Sequence, residues 1–255
     1  MKHLISKLGI ILAVIMITGS VQATPLSGVW DGWTQFADGE ETSSTNTNTA
    51  VGPGYGGQLF DAEYLFYKLD TVNNTLSVGL QAGFNLVTGT VTVGGHPYYA
   101  GDLALSFDGN TSNYEYAVDF GLLTKDYNLN KVDAGTGTGI DGAGLYSVSA
   151  WNNGVYGGFT VSNPFAMDAG SLVAGINNAS GSGTADGVTS YYRQVTFDLS
   201  GLGLGDSYQV DAHWTMSCGN DNINGSFNVQ EPSTLFLLGL GLLGLGLVRM
   251  RKVKA

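Results

Sequence analysis

The sequence predicts an all-β protein: an antiparallel β-sandwich, jelly-roll-like, between an N-terminal signal peptide and a single hydrophobic helix at the C-terminus. Three observations carry this prediction. Apolar and polar residues alternate with a period of two through much of the chain, the period that sends successive side chains to opposite faces of a strand. Short clusters of Gly, Asn and Asp separate the alternating runs, and these are the residues that tight turns require. Before the C-terminal tail no amphipathic helix of normal length is readable.

The elements follow in chain order. Met1–Ala23 reads as a secretory signal: Lys2, His3 and Lys7 form a positive start, Leu8–Ile17 an apolar run too short to span a bilayer comfortably, and Val21-Gln22-Ala23 a small-residue site. Cleavage is expected between Ala23 and Thr24. Residues 24–228 then form one extracytoplasmic domain. Asp38–Gly57 is poor in apolar residues and rich in Thr, Asn and Gly, so it is expected to be a loop, as are Lys131–Gly144 and Asn177–Gly187.

Strands are expected over Leu59–Leu69, Leu76–Val87, Leu103–Phe107, Tyr114–Phe120, Tyr191–Leu199 and Tyr208–Cys218. In the second, Leu76, Val78, Leu80, Ala82, Phe84 and Leu86 share one face, and Ser77, Gly79, Gln81, Gly83 and Asn85 the other. The last alternates most regularly, with Tyr208, Val210, Ala212, Trp214, Met216 and Cys218 opposite Gln209, Asp211, His213, Thr215 and Ser217. Turns fall at Val72-Asn73-Asn74, Gly94-Gly95, Asp108-Gly109-Asn110 and Gly219-Asn220-Asp221. Half-buried strands joined this way suit a sandwich, with a closed barrel as the alternative. An outer-membrane barrel is disfavoured, because the apolar tail would be redundant and no aromatic girdles are visible.

Charge narrows the partners. Residues 24–230 hold only four basic residues (Lys68, Lys125, Lys131 and Arg193) against twenty acids, a net charge of −16. Such a surface repels nucleic acid and anionic lipid; it attracts divalent cations or basic partners, or simply keeps an exported protein in solution. With one cysteine, Cys218, there is no internal disulfide and no cysteine-based zinc site.

The tail has three parts. Glu231-Pro232-Ser233-Thr234 is short and polar, Leu235–Val248 is an uncharged apolar run of 14 residues, and Arg249, Arg251, Lys252 and Lys254 form a basic stop. As a helix the apolar run covers about 21 Å, short of the roughly 30 Å hydrocarbon core. The basic cluster belongs on the cytoplasmic side and the export signal sends the body to the other, so the two ends agree on topology. This order of motif, apolar helix and basic cluster over residues 229–255 resembles the PEP-CTERM sorting signal. Glu231 and Pro232 match its Pro-Glu-Pro motif, while Gln230 stands where the first proline would be. The N-terminal signal predicts export by the Sec machinery and removal of the leader by signal peptidase, and the resemblance implies recognition and cleavage near this motif by an exosortase, a membrane-embedded cysteine transpeptidase-like enzyme. It also implies transient anchoring in the inner membrane of a Gram-negative, exopolysaccharide-making host, followed by delivery to the cell surface or extracellular matrix. Tyr98–Asp102, Tyr114–Asp119 and His213–Asp221 look similar to segments in the bodies of other such proteins, which carries no activity with it.

Within the body, chemistry is sparse. Cys218 and His213 are an odd number of residues apart on one strand, so they point to opposite faces and do not form a nucleophile–base pair. Cys218 continues the apolar face as a buried inert thiol, and His213 is expected on a polar surface beside Asp211. Asp108, Asn110, Ser112 and Glu115 place oxygen donors around a turn, as a calcium loop does, and an Asx-rich hairpin explains the same residues without metal. Gly135-Thr136-Gly137-Thr138-Gly139 lacks the Lys-Ser/Thr and the strand-to-helix context of a phosphate loop. Trp30, Trp33, Tyr98, Tyr99, Trp151 and Tyr156 either pack the core or offer stacking faces to sugars. Paired acids for glycoside hydrolysis stay open, because their geometry is not set by spacing. The expectation is a non-enzymatic structural protein without a resident cofactor, associated with extracellular polysaccharide. A carbohydrate- or calcium-binding module is the alternative, and a secreted hydrolase has the least support.

Overall fold

The computed structural model describes residues 24–39, 56–129, 142–156, 160–205 and 207–229. The signal peptide with Ala23, the sorting tail from Gln230 onward, and most of the expected loops Asp38–Gly57 and Lys131–Gly144 lie outside these residues.

Thirteen strands are present among the described residues: β1 (Thr34–Asp38), β2 (Ala62–Asp70), β3 (Thr75–Ala82), β4 (Thr90–Val93), β5 (His96–Tyr99), β6 (Leu103–Ser106), β7 (Tyr116–Asp119), β8 (Gly144–Asn152), β9 (Ala166–Gly175), β10 (Asn177–Ala185), β11 (Val188–Asp198), β12 (Tyr208–Thr215) and β13 (Asn222–Val229). They form a five-stranded sheet in the order β1-β2-β3-β11-β10, a six-stranded sheet in the order β13-β12-β6-β7-β8-β9, and the separate hairpin β4-β5. The pairings are antiparallel. The chain passes from the first sheet to the second after β3 and again after β11, and returns between β9 and β10 with Ile176 alone between those strands.

The alternation dictates how the sheets meet. Leu65, Leu76, Val78, Leu80, Val195 and Phe197 face inward from the first sheet, and Leu103, Leu105, Val118, Leu145, Val210, Ala212 and Trp214 from the second, forming one continuous core. Each such Leu, Val or Phe side chain, fully buried, contributes about 1.5–3 kcal/mol. Trp214 is buried with its indole N–H donating to the Gly101 carbonyl at 3.0 Å, so its one polar atom is satisfied. The Tyr67 and Phe227 rings stack at 3.8 Å where β2 meets β13, closing that side of the sandwich.

Strand ends differ from expectation in ways that have physical reasons. β2 starts at Ala62 because Gln58–Phe60 forms a 3-10 turn. β3 ends at Ala82, yet Phe84 and Leu86 remain buried in the core, so their side chains keep the apolar pattern after the ladder stops. The expected turn at Gly94-Gly95 is the two-residue loop of β4-β5, with φ of 60° and 82°, the conformation that favours glycine at both positions.

One expected loop is overturned: Asn177–Gly187 is not a loop. Asn177–Ala185 is β10, paired residue by residue with β11 from Asn177↔Thr196 to Ala185↔Val188. Its side chains are small and mostly exposed on both faces, so backbone pairing does most of the holding and no alternation marks it in the sequence.

Both sheets are also covered on part of their outer faces. The N-terminal segment from Thr24 to Trp33 lies over β2 and β3, where Leu26, Trp30, Tyr64 and Phe66 form a second small core. Gly79 is required there: any Cβ would run into the Trp30 ring, which stacks on Phe66 at 4.2 Å. On the other sheet, Asp211, His213 and Thr215 of the polar face of β12, and Ser217 just beyond it, are buried. The connection between β8 and β9 covers His213 and Ser217, with Tyr156 donating its N–H to the Ser217 carbonyl at 3.2 Å and the Ser162 hydroxyl donating to the Gly219 carbonyl at 3.0 Å.

Candidate functional site

The oxygen-rich loop between β6 and β7 uses its polar groups on its own backbone. Asp108 Oδ1 accepts from the Ser106 hydroxyl at 2.9 Å and from the Asn110 N–H at 2.8 Å. Asn110 Oδ1 accepts from the Ser112 N–H at 3.1 Å. Glu115 Oε1 accepts from the Phe107 N–H at 2.6 Å, while its Oε2 is buried without a hydrogen-bond partner. Successive Asx turns therefore shape this loop. Among the described residues, no group of three or more His, Cys, Asp or Glu side chains is gathered as a metal site would gather them.

His213 and Cys218 are both buried, at 1% and 2% exposure. Cys218 packs in the apolar core, and burial pushes its thiol up to about 12, which keeps it protonated and unreactive. His213 was expected at the surface; it is enclosed instead, because the β8–β9 connection covers its face of the strand. Its Nδ1 lies 2.7 Å from Asn224 Oδ1 and its Nε2 3.3 Å from the Ser162 carbonyl. Burial holds its pKa below the ordinary histidine value, against the opposing pull of these acceptors.

Next to this buried polar row lies a half-open pocket of about 300 Å³. Thr111, Ser112, Asn113 and Tyr114 reach it from the β6–β7 loop, Trp151 and Asn153 from the end of β8, and Asn163 and Pro164 from the segment before β9. Its aromatic wall is rigidly set. The Trp151 indole N–H donates to the Tyr114 carbonyl at 2.9 Å, joining β8 to the β6–β7 loop. The Tyr114 ring, 6% exposed, packs against the His213 ring at 5.8 Å. Burial and the Asp211 carboxylate push the Tyr114 hydroxyl up to about 12, so it stays a neutral donor. Asn163 Oδ1 is buried and has no hydrogen-bond partner.

The six aromatic residues considered as sugar platforms separate here. Trp30 and Tyr99 are buried, and Trp33 packs edge-on against Trp30. Tyr98 and Tyr156 join Tyr127 and His96 in a cluster at the β4-β5 hairpin, where His96 stacks on Tyr127 at 4.6 Å. Trp151 is the member of the six that lines the pocket. Its partner Tyr114 and the amides of Asn113, Asn153 and Asn163 were missed as a group, because nothing in their sequence spacing joins residues near 113, 152 and 163.

The sorting residues Glu231, Pro232 and Ser233 and the basic residues Arg249, Arg251, Lys252 and Lys254 lie beyond the described residues, which end as β13 finishes at Val229. Residues 231–252 match the family model described as the PEP-CTERM protein-sorting motif. The chain carries a PEP-CTERM sorting signal. The match begins at Glu231, so Gln230, in place of the first proline, falls just outside it. An exosortase is the processing partner that a PEP-CTERM signal implies, and export is the route. No curated protein and no solved structure matches the chain significantly. Among the described residues no helix is long and apolar enough to cross a membrane.

Proposed function

We propose that this PEP-CTERM protein is a non-enzymatic structural component of the cell surface or extracellular polysaccharide matrix of a Gram-negative bacterium. It reaches its place by export, transient anchoring in the inner membrane through Leu235–Val248, and exosortase processing near Glu231–Pro232. The observation that carries the reading is the PEP-CTERM match over residues 231–252, combined with the leader ending at Ala23 and a basic stop at Arg249–Lys254 that agrees with it on topology. The inert thiol of Cys218 and the enclosed, opposite-facing His213 support a body without a nucleophile–base pair. In the β6–β7 loop, Asx turns account for Asp108 and Asn110 without calling on a cation.

Intact-mass analysis of the mature protein from an exosortase-bearing host tests this. The expected mass begins at Thr24 and has lost the segment after Glu231–Pro232. The same chain expressed in an exosortase-deleted strain is expected to keep its tail and stay in the membrane fraction. A protein found wholly in the cytoplasm overturns the reading. A second reading, a carbohydrate-binding module at the cell surface, is favoured by the aromatic and amide-lined pocket at Tyr114 and Trp151.

A further inference from the structure

We infer that the pocket between the β6–β7 loop and the β8–β9 connection is a binding site for a neutral, hydroxyl-rich ring, a pyranose residue of an uncharged glycan, with Trp151 as its platform. The inference rests on the reading of the body as an exported module only for where the glycan is met; the chemistry of the pocket stands on its own.

The lining decides the ligand class. Thr111, Ser112, Asn113, Tyr114, Trp151, Asn153, Asn163 and Pro164 include no ionised side chain, so the pocket offers no salt link to an ionic ligand. The body's net charge of −16 repels an anionic one. What remains is a set of hydroxyls and amides, groups that donate and accept at once, beside the indole of Trp151. A pyranose presents the matching surface: hydroxyls around its rim and an apolar C–H face that lies against an aromatic ring. The volume of about 300 Å³ is at the small end of ligand pockets, suited to a short glycan segment.

One feature marks the pocket as built to bind. Trp151 is held by its indole bond to the Tyr114 carbonyl, so the platform pays little ordering entropy on binding.

The test is calorimetric titration of the full chain in detergent with maltotriose, cellotriose and N-acetylchitotriose, and with anionic trigalacturonate as the charged counterpart. At least one neutral trisaccharide is expected to bind with a Kd of about 1 mM or tighter. That affinity is expected to hold from about 0.05 to about 0.5 M salt, where an ionic contact would weaken. Trp151→Ala is expected to weaken it about tenfold or more. Should Trp151→Ala fail to fold, Asn153→Ala, at the exposed rim, is expected to weaken binding by about threefold with folding intact. Absence of binding by all three neutral sugars at about 10 mM overturns the inference. So does tighter binding of trigalacturonate, or binding lost in Tyr156→Ala and kept in Trp151→Ala, which would move the site to the Tyr98–Tyr127–Tyr156 cluster. Sorting by the exosortase is expected to be unchanged in Trp151→Ala, so a failure here is distinguishable from a failure of the export reading.

Discussion

Gln81, on β3, makes four hydrogen bonds through one side-chain amide. Its Oε1 accepts from the Leu26 N–H at 2.9 Å and the Trp30 indole at 2.7 Å, and its Nε2 donates to the Thr24 carbonyl at 2.9 Å and to Glu63 Oε2 at 2.6 Å. It thereby fastens to the sheet the segment that begins at the expected mature N-terminus, Thr24. His213 is the other polar residue whose setting has a measurable consequence. Its folded pKa lies below the ordinary value of 6.5 because burial penalises the charged ring. The unfolded chain therefore takes up this proton at higher pH than the folded one. The stability tied to this is complete above about pH 6.5 and declines as pH falls, at no more than about 1.4 kcal/mol per pH unit. Thermal melts between pH 7 and pH 5.5 are expected to show the midpoint falling with pH, and His213→Gln is expected to flatten that slope. An unchanged slope in the variant would remove His213 from the account. In the sequence both residues sit on the polar side of an alternating strand, and that side reads as solvent-facing. The reading failed for one reason: the segments that cover these faces, Thr24–Trp33 and the β8–β9 connection, come from elsewhere in the chain, and periodicity within a strand carries no information about them.

At the scale of elements, Arg193 ties three of them together. Its position on β11 is on the core side, as the alternation indicates, and it is buried. Its Nε donates to the Leu86 carbonyl at 2.8 Å, its guanidinium nitrogens to the Val87 carbonyl at 3.3 Å and to Asn178 Oδ1 at 2.9 Å, and the Phe120 ring lies 5.3 Å from its Cζ. One planar fork thus joins the segment after β3, the start of β10 and the end of β7. Burial lowers its pKa, and the charge of Asp119 works in the opposite direction. Arg193→Met keeps the stem and removes the donors, leaving buried carbonyls unpaired at a cost of about 2–4 kcal/mol. Urea denaturation is expected to show this as a lower midpoint with an unchanged m-value, and a loss below about 0.5 kcal/mol would show the clamp to be idle. Arg193 also explains how β10 is placed despite having so little to bury: Asn178, near its start, is one of the side chains the fork grips.

Across the whole molecule, the fold is held without covalent staples. Cys218 is buried among core residues with its thiol pushed up to about 12, and no second cysteine exists to pair with it. Native protein is therefore expected not to react with an aromatic disulfide reagent at pH 8, and to release one equivalent once unfolded in guanidinium. Its melting temperature is expected to be the same with and without reductant. Prompt labelling of the native protein would contradict the burial of this strand end. The acidic surface and the single, inert thiol suit a protein that spends its life outside the cell, where thiols oxidise and solubility depends on charge.

Local sequence was enough for the β character of the body, the inward faces of β3, β11 and β12, the turn at Gly94-Gly95, and the sorting tail at residues 231–252. All of these are local: a period of two, a positive φ, or a linear motif read by an enzyme. The tertiary structure alone decided the strand order within each sheet, the existence of β10, the burial of Gln81 and His213, and the pocket of Tyr114, Trp151 and Asn163. Each of these depends on which distant segments come to lie together. That is settled by the packing of two sheets and their covering loops, and no spacing along the chain encodes it.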